Sequence, residues 1–223
     1  MTLPLIDLFS TPYANRFTNC YLTSPYQAAI HAAEKVGTDH ELSEYINNAL
    51  KQHPSWLSHM PKITPDAIAD YQGDSSCCDL NAVSEAIHLN GCMATAGQFL
   101  FHGGKWPVGY LQGAMFETIR PLSTTLCPNI AAGVPQWHGR AYRNNALDLF
   151  VLRVREPRTR AFFFNSEDPD TGQEKELVFA RGLRLTLVSC KEIRTIPVSD
   201  FVIGCINPDT KSVPVRVLEV DIS

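Results

Sequence analysis

The stretch GQEKELVFARG, residues 172–182, places two glutamates two positions apart, directly before an apolar run that ends in Arg-Gly. A short apolar run of this kind favours a β-strand. Side chains at positions i and i+2 of a strand point to the same face, so we expect Glu174 and Glu176 to share one face and Lys175 and Leu177 the other. The glutamates are then either reacting carboxylates or the solvated edge of a strand.

Paired carboxylates suit one kind of reaction particularly well. One carboxylate stabilises a sugar that carries positive charge in the transition state, while its neighbour orients or deprotonates the incoming nucleophile. A bare Glu-x-Glu is more often a solvated strand edge, so the interpretation depends on the rest of the sequence.

The first 95 residues show helical spacing of their apolar side chains. Residues 25–36, PYQAAIHAAEKV, and residues 39–53, DHELSEYINNALKQH, both follow this pattern, and Asp39 is placed to cap the second helix. Thr64-Pro65-Asp66 predicts the start of a helix that ends at Gly73. A further helix is expected from about Asp79 to Asn90, closed by Gly91.

After residue 95 the pattern changes to strands, in apolar and often alternating runs. These runs are GQFLFHGG, ALDLFVLRVRE, RAFFFN, KELVFARGLRLTLVSC and VPVRVLEVDI. Residues 127–145, CPNIAAGVPQWHGRAYRNN, lack such a pattern and are predicted to be a long functional loop. Helices followed by strands indicate an α+β fold. We predict a single domain, 1–223, with a helical part at 1–95 and a β-rich core at 96–223.

Composition excludes several classes of protein. Of the 223 residues, 44% are hydrophobic and 19% charged, which predicts a packed core, and the net charge of −4 argues against a protein that coats nucleic acid or an anionic membrane. No apolar run is long enough to span a bilayer, and the opening residues predict no Sec-type signal. No GxGxxG motif follows a strand, which disfavours a dinucleotide-binding Rossmann domain.

The seven cysteines are odd in number and irregularly spaced, which favours free thiols in a reducing compartment over a disulfide framework. No CxxC pair is present, so we predict no structural zinc site and no metal ligands. A cysteine hydrolase that combines one of these thiols with one of the seven histidines has no nucleophile motif to support it.

Three other segments carry residues suited to binding a nucleotide. Residues 100–104, LFHGG, end a strand in glycine, where a backbone can approach a ligand closely. Residues 120–128, RPLSTTLCP, hold three hydroxyls in a row. Residues 137–143, WHGRAYR, offer aromatic rings for stacking on a base and arginines for binding phosphate.

In this order, LFHGG, PLSTTLCP and GQEKELVFARGLRL resemble the mono-ADP-ribosyltransferase toxins and effectors of the Arg–Ser–Glu class, relatives of the C3 exoenzymes. The resemblance covers roughly residue 63 to the C-terminus and is most specific at QEKELVFARG and LSTT. It implies an α+β fold, an ADP-ribosyltransferase-like split β-sandwich preceded by a helical N-terminal half. It also implies that NAD, the substrate, binds in the cleft between the two.

The resemblance assigns the catalytic residues as follows. Glu176 holds the 2′-hydroxyl of the nicotinamide ribose and stabilises the oxocarbenium ion. Glu174 orients or activates the acceptor, and Ser123 positions Glu176.

The resemblance also assigns the residues that contact NAD: His102, Gly103, Ser123, Thr124, Trp137, Arg140, Tyr142 and Arg143. Gly103 offers backbone hydrogen bonds to the nicotinamide amide. Trp137 stacks on nicotinamide and Arg140 meets a phosphate, with Tyr142 and Arg143 as alternatives for those two roles.

The sequence departs from the family at the first arginine, which is His102 here. A histidine is mostly neutral at pH 7, so it orients a hydroxyl but binds phosphate weakly. The phosphate charge must then be met by other cations. The candidates are Lys105, Arg120, Arg140 and Arg143.

By resemblance the chain is an NAD-dependent mono-ADP-ribosyltransferase, a pentosyl-transferring glycosyltransferase that acts as a virulence toxin or effector. The expected context is a secreted bacterial effector that modifies an arginine, or a threonine or serine, of a host protein in the host cytoplasm. Small GTPases, actin and ubiquitin all remain open as targets. The alternatives are an NAD glycohydrolase on the same fold and a catalytically inactive binding module.

Overall fold

The computed structural model describes residues 2–16, 18–36, 38–73, 77–109, 111–164, 175–200 and 208–223, without the side chains of Leu57, Trp137 and His138. Within these ranges, five helices precede the first strand of the large β-sheet in the sequence. They are α1 (Pro25–Lys35), α2 (His40–Lys51), α3 (Pro54–Leu57), α4 (Asp66–Gly73) and α5 (Leu80–Asn90). No described helix is long and apolar enough to cross a membrane.

Aspartate side chains cap two of these helices, one of them at Asp39 as the sequence predicts. The Asp39 carboxylate accepts from the Leu42 amide at the start of α2, and Asp79 does the same for α5. Gly91 follows the last residue of α5 and donates to the Ile87 carbonyl. The helices α1, α2, α4 and α5 lie in segments predicted to be helical, with α4 beginning at Asp66 rather than at Pro65, whereas α3 was not predicted.

The strands of the described residues form a small and a large sheet. The small sheet, which the sequence pattern does not predict, pairs β1 (Tyr13–Asn15) with β2 (Cys20–Leu22). The large sheet contains nine further strands. They are β3 (Cys92–Met93), β4 (Phe99–Gly104), β5 (Met115–Glu117), β6 (Leu122–Thr125), β7 (Leu147–Val154), β8 (Arg160–Phe163), β9 (Glu176–Phe179), β10 (Arg184–Ser199) and β11 (Thr210–Ile222).

The large sheet runs in the order β3-β8-β9-β6-β4-β7-β11-β10-β5, and only β7 and β11 are parallel neighbours among its described strands. One pair of residues, Phe101 and Thr125, joins β4 to β6. The sheet is thus divided into a β3-β8-β9-β6 half and a β4-β7-β11-β10-β5 half. With the helices around it, this confirms the α+β class.

Three apolar clusters hold these layers together. One cluster buries side chains from both halves of the sheet, such as Phe150 and Leu218 from one half and Leu177 and Phe179 from the other. A second packs the alanines of α1 against the outer face of β7 and β11. The third packs α4 and α5 against the outer face of β8 and β9. Burial of this apolar area is the main stabilising term of the fold.

The predicted loop at 127–145 is wrong, because the segment is largely helical. It forms α6 (Pro128–Gly133), a 3₁₀-helix (Val134–Gly139) and α7 (Arg140–Asn144). Pro128 begins α6 with a pre-set φ, and small alanines let the helix approach the sheet closely. The short helices have no regular apolar stripe, and so periodicity failed to find them.

The run KELVFARGLRLTLVSC is two strands rather than one. β9 ends at Phe179 and β10 begins at Arg184, and Gly182 adopts a φ of +90° between them. A positive φ is readily available only to glycine. The chain therefore leaves one half of the sheet at this turn and joins the other half.

Candidate active site

The carboxylate of Glu176 is buried and held from two sides. The Ser123 hydroxyl donates a hydrogen bond to Oε1. The Gln72 side-chain amide donates to Oε2 over 2.7 Å. Glu176 is only 6% exposed, so these bonds fix an ionisable group in a place where water has little access.

The register of two strands and the position of one helix create this arrangement. In the antiparallel pairing of β6 with β9, Thr125 lies opposite Glu176 and Ser123 lies opposite Val178. These four side chains therefore share a face of the sheet. The same face packs under α4 through Ile68, which brings Gln72 at the end of α4 over the carboxylate.

His102 reaches the same place from β4. Its Nδ1 donates to the carbonyl oxygen of Ser123 over 2.7 Å. Because a carbonyl only accepts, Nδ1 carries the proton, and Nε2 of the neutral ring keeps a free lone pair. The strands β4 and β6 pair only at Phe101 and Thr125, so an imidazole rather than a backbone amide satisfies the Ser123 carbonyl.

His102 is neutral at pH 7. Burial lowers the pKa of His102, and the positive charge of Arg140 lowers it further, while the hydrogen bond to Ser123 opposes both. The ring stands against Phe150, with 5.2 Å between the ring centroids. The ring also needs Gly104, because a Cβ at that position would lie 2.5 Å from Nε2. The site thus offers an uncharged hydrogen-bonding group where a cation was expected.

Tyr71 closes the site from the helical side. Its hydroxyl donates to the Pro121 carbonyl over 2.9 Å, directly before β6. Burial raises the pKa of Tyr71, the Glu176 carboxylate raises it further, and Arg120 acts in the opposite direction. The phenol therefore stays protonated and lies within electrostatic reach of both Glu176 and a surface cation.

The structure brings together three predicted site residues that are far apart in sequence: His102, Ser123 and Glu176. Hydrogen bonds join them in one continuous line that ends at Gln72. A carboxylate with both oxygens fixed can accept a hydrogen bond from a hydroxyl group and can stabilise a nearby positive charge. The roles assigned to these residues remain predictions.

The strand after residue 174 begins at Glu176, so the extended backbone expected at Lys175 is not observed. Lys175 adopts a φ of +49°. The alternation of side chains requires extended backbone at the intervening residue, and Lys175 is not extended. Glu174 itself lies outside the described residues. Lys175 is 6% exposed, and burial lowers the pKa of its amine.

Gly103 has a packing reason for lacking a side chain. A Cβ on Gly103 would lie 1.9 Å from the Ala131 carbonyl oxygen and 2.7 Å from Pro135 Cδ. The glycine lets α6 approach β4, where Gly103 also pairs with Leu149 of β7. Contact between its backbone and a ligand remains a prediction.

Thr124 points away from the Glu176 face. It is 2% exposed, and its hydroxyl donates to the Leu177 carbonyl over 2.9 Å. Adjacent residues of a strand point to opposite faces, so Ser123 and Thr124 cannot both reach the carboxylate. Thr124 therefore has a structural role within the sheet, and its contact with NAD remains a prediction.

The remaining predicted contacts lie in the helical segment after β6. Arg140 is exposed at the start of α7, and its charge reaches His102. Arg143 is also exposed. The ring of Tyr142 lies under Lys211, with the amine 4.0 Å from the ring centroid, so this face of the ring is already covered. The Trp137 side chain is not among the described side chains.

Sequence reasoning missed Gln72 and Tyr71. Both belong to the helix predicted up to Gly73, but nothing in the pattern DAIADYQG separates a residue that contacts Glu176 from a solvated one. The partnership spans 104 positions in sequence and depends on how α4 packs. Among the described residues, no group of three or more histidine, cysteine, aspartate or glutamate side chains is placed to hold a metal ion.

No protein-family model matches this chain, and no curated protein matches it. Solved structures similar to it include the ADP-ribosyltransferase Vis of Vibrio splendidus in complex with agmatine, at 12% identity and a TM-score of 0.43, over 97% of this chain and 90% of that one. The C. perfringens ADP-ribosylating toxin BECa with NADH is similar at 10% identity and a TM-score of 0.46, over 91% of this chain and 51% of that one. Plx2a, an ADP-ribosyltransferase toxin from Paenibacillus larvae, is similar at 10% identity and a TM-score of 0.43, over 87% and 96%. These TM-scores describe a distant likeness in chain path.

Proposed function

We propose that this chain is an NAD-dependent mono-ADP-ribosyltransferase that transfers ADP-ribose to a side chain of a host protein and releases nicotinamide. The observation that supports it is the buried Glu176 carboxylate, fixed by Ser123 and Gln72 beside a neutral His102. Cleavage of a glycosidic bond through an oxocarbenium-like state requires a fixed carboxylate in a site with little water.

The described donors and acceptors fit the nicotinamide ribose of NAD. Glu176 accepts from a ribose hydroxyl and faces the positive charge that develops on the sugar. The lone pair on Nε2 of His102 accepts from a second hydroxyl. The positive charge of Arg140 lowers the pKa of His102, and we assign to Arg140 the role of binding a phosphate.

The proposed reaction proceeds in two steps. The bond between C1 of the ribose and the nicotinamide nitrogen breaks, and nicotinamide leaves with the electron pair. Glu176 stabilises the cationic sugar that remains. A nucleophile of the acceptor protein then forms a bond to C1 and gives its proton to a base, the role that we assign to Glu174 as a proposal.

Arginine is the proposed acceptor, with threonine and serine as the hydroxyl alternatives. The proposed setting is a secreted bacterial effector that acts in the host cytoplasm, where a small GTPase, actin or ubiquitin would be a target. These proposals rest on the sequence resemblance at residues 172–182 and 121–128.

Incubation of the protein with labelled NAD and a host cell lysate tests this proposal. We expect one or a few labelled host proteins, and mass spectrometry then identifies the modified side chain. Glu176→Gln should lower labelling by about 100-fold or more while the melting temperature stays close to that of the parent. Labelling by Glu176→Gln at the parent rate would contradict the assignment.

One observation favours NAD glycohydrolysis as a second candidate. Among the described residues, β9 carries Glu176 as its single carboxylate, and Lys175 directly before it adopts a left-handed conformation. Water would then capture the sugar. That reaction should release free ADP-ribose and leave no protein labelled. If neither product forms and NAD does not raise the melting temperature, the chain is an inactive module.

A further inference from the structure

A cysteine, a histidine and an aspartate meet at the N-terminal side of the fold, apart from the hydrogen-bonded line at Glu176. The Cys20 Sγ lies 3.4 Å from Nδ1 of His31. Nε2 of the same ring lies 2.7 Å from Oδ2 of Asp39. The three residues come from β2, from α1 and from the cap of α2, and so the packing of these elements creates the cluster.

The chemistry of the partners fixes the roles within this cluster. A carboxylate only accepts, so Nε2 of His31 carries the proton that it donates to Asp39. The other ring nitrogen then keeps its lone pair in the neutral ring and faces the thiol. This is the order of nucleophile, base and orienting carboxylate that activates a thiol or hydroxyl in covalent catalysis.

The base and its carboxylate are rigidly held. Asp39 also accepts from the Leu42 amide over 3.1 Å and from the Tyr13 hydroxyl over 3.2 Å. His31 is 7% exposed. Cys20, by contrast, is half-buried. The cluster thus combines a buried, fixed base with a thiol on a partly exposed residue.

The charges around the cluster call for a base rather than for a free thiolate. Burial raises the pKa of the Cys20 thiol, Asp39 and Glu34 raise it further, and Lys35 opposes them. Burial alone would raise the pKa of Asp39, but the hydrogen bonds from His31, Leu42 and Tyr13 outweigh it and lower that pKa. Cys20 is therefore protonated and Asp39 ionised at pH 7, and attack by sulfur requires transfer of the thiol proton.

We propose that Cys20 is a nucleophilic thiol that takes an acyl group from an activated donor such as a thioester or an aryl ester, with His31 as its base and Asp39 as a positioning residue. The sulfur forms a bond to the acyl carbon as its proton passes to Nδ1 of His31. The bond from the acyl carbon to the leaving group breaks, and the leaving group departs with the electron pair and takes the proton from Nδ1 of His31. Water then hydrolyses the new thioester, which returns the free thiol and a carboxylic acid.

The experiment follows acetylation of the whole chain by p-nitrophenyl acetate at pH 7. Release of p-nitrophenolate gives the rate, and peptide mass spectrometry gives the acetylated cysteine. Cys190 is the internal control, because it is an exposed free cysteine and its pKa is also raised by burial. This comparison within the parent protein needs no variant and so does not depend on the folding of one.

Two variants distinguish a cluster that reacts from one that only holds α1 and α2 together. His31→Gln keeps a donor toward Asp39 but removes the base, and Asp39→Asn keeps the cap of α2. NAD consumption serves as a control and should remain near the parent value because Glu176 is untouched, and the melting transition shows whether each variant is folded.

We expect Cys20 to be acetylated faster than Cys190, and His31→Gln to slow the reaction of Cys20 by about 100-fold, the usual range of general-base catalysis. Asp39→Asn should slow it by about tenfold or more. Acetylation of Cys20 no faster than that of Cys190, or an unchanged rate in a folded His31→Gln, would overturn the proposal and leave a cluster that is only structural.

Discussion

The hydroxyl of Ser123 donates a hydrogen bond to Oε1 of Glu176 across the neighbouring strands β6 and β9. Replacement by alanine removes this donor, and a hydrogen bond to a charged group contributes about 1.5–3 kcal/mol. We therefore expect Ser123→Ala to slow nicotinamide release from NAD by roughly 10- to 100-fold. Ser123→Thr keeps the hydroxyl and should restore most of the rate.

Ser189 supplies a matched control for that substitution. Its hydroxyl also donates to a glutamate, Oε2 of Glu219, over 2.6 Å, but on β10 and β11. Ser189→Ala should leave the rate of nicotinamide release unchanged. Equal losses in the two alanine variants would show that the effect of Ser123→Ala comes from general destabilisation.

The amide of Gln72 fixes the other oxygen of Glu176 from α4. Gln72→Met keeps the volume of the side chain and removes the donor. We expect about tenfold slower nicotinamide release, since the carboxylate loses one of its two described donors. Gln52→Met, at an exposed position after α2, is the control. A parent-like rate for Gln72→Met would show that the Gln72 donor is not needed to position the carboxylate.

The pKa of His102 is lowered by its surroundings, and this predicts a pH dependence of stability. The unfolded chain, with an ordinary histidine pKa of about 6.5, binds the proton first as the pH falls. Protonation therefore favours the unfolded state. The contribution of His102 is complete above pH 6.5 and is lost as the pH falls toward the lower folded pKa. Melting temperatures between pH 5 and 7.5 should fall less steeply in His102→Gln than in the parent, and parallel curves would refute this.

The glycine at position 103 is predicted to be required for packing. Gly103→Ala forces a Cβ against the Ala131 carbonyl, and strain of this kind costs about 1–3 kcal/mol. Gly133→Ala is the control, because a Cβ there meets no atom within 4 Å and alanine favours the helix by up to about 1 kcal/mol. Urea denaturation measures both changes. Similar free energies of unfolding for the two variants would contradict the packing argument.

Local signals in the sequence predicted much of the fold. Asp39 and Asp79 cap their helices because a short side-chain oxygen reaches a backbone amide a few residues ahead, which needs no knowledge of distant elements. The strands β4, β7 and β11 follow from apolar or alternating runs. The resemblance at LFHGG, LSTT and QEKELVFARG chose His102, Ser123 and Glu176, which the structure brings together.

What the sequence did not predict depends on contacts between distant segments. Gln72 meets Glu176 only because α4 packs on the outer face of β9. The helices between 128 and 144 are short and depend on packing against the sheet, so no periodic stripe marks them. The left-handed backbone at Lys175 has no glycine or asparagine to announce it. The cluster of Cys20, His31 and Asp39 likewise exists only once three elements are packed.

The single pair between Phe101 and Thr125 has a mechanical consequence. Among the described residues, β4 and β6 pair at this one position, so relative motion of the two halves of the large sheet is resisted mainly by side chains. A dinucleotide bound by His102 on one half and by Glu176 on the other would form a second connection between the two halves. Binding should then slow amide hydrogen exchange along β4 and β6 more than anywhere in β10, far from this connection.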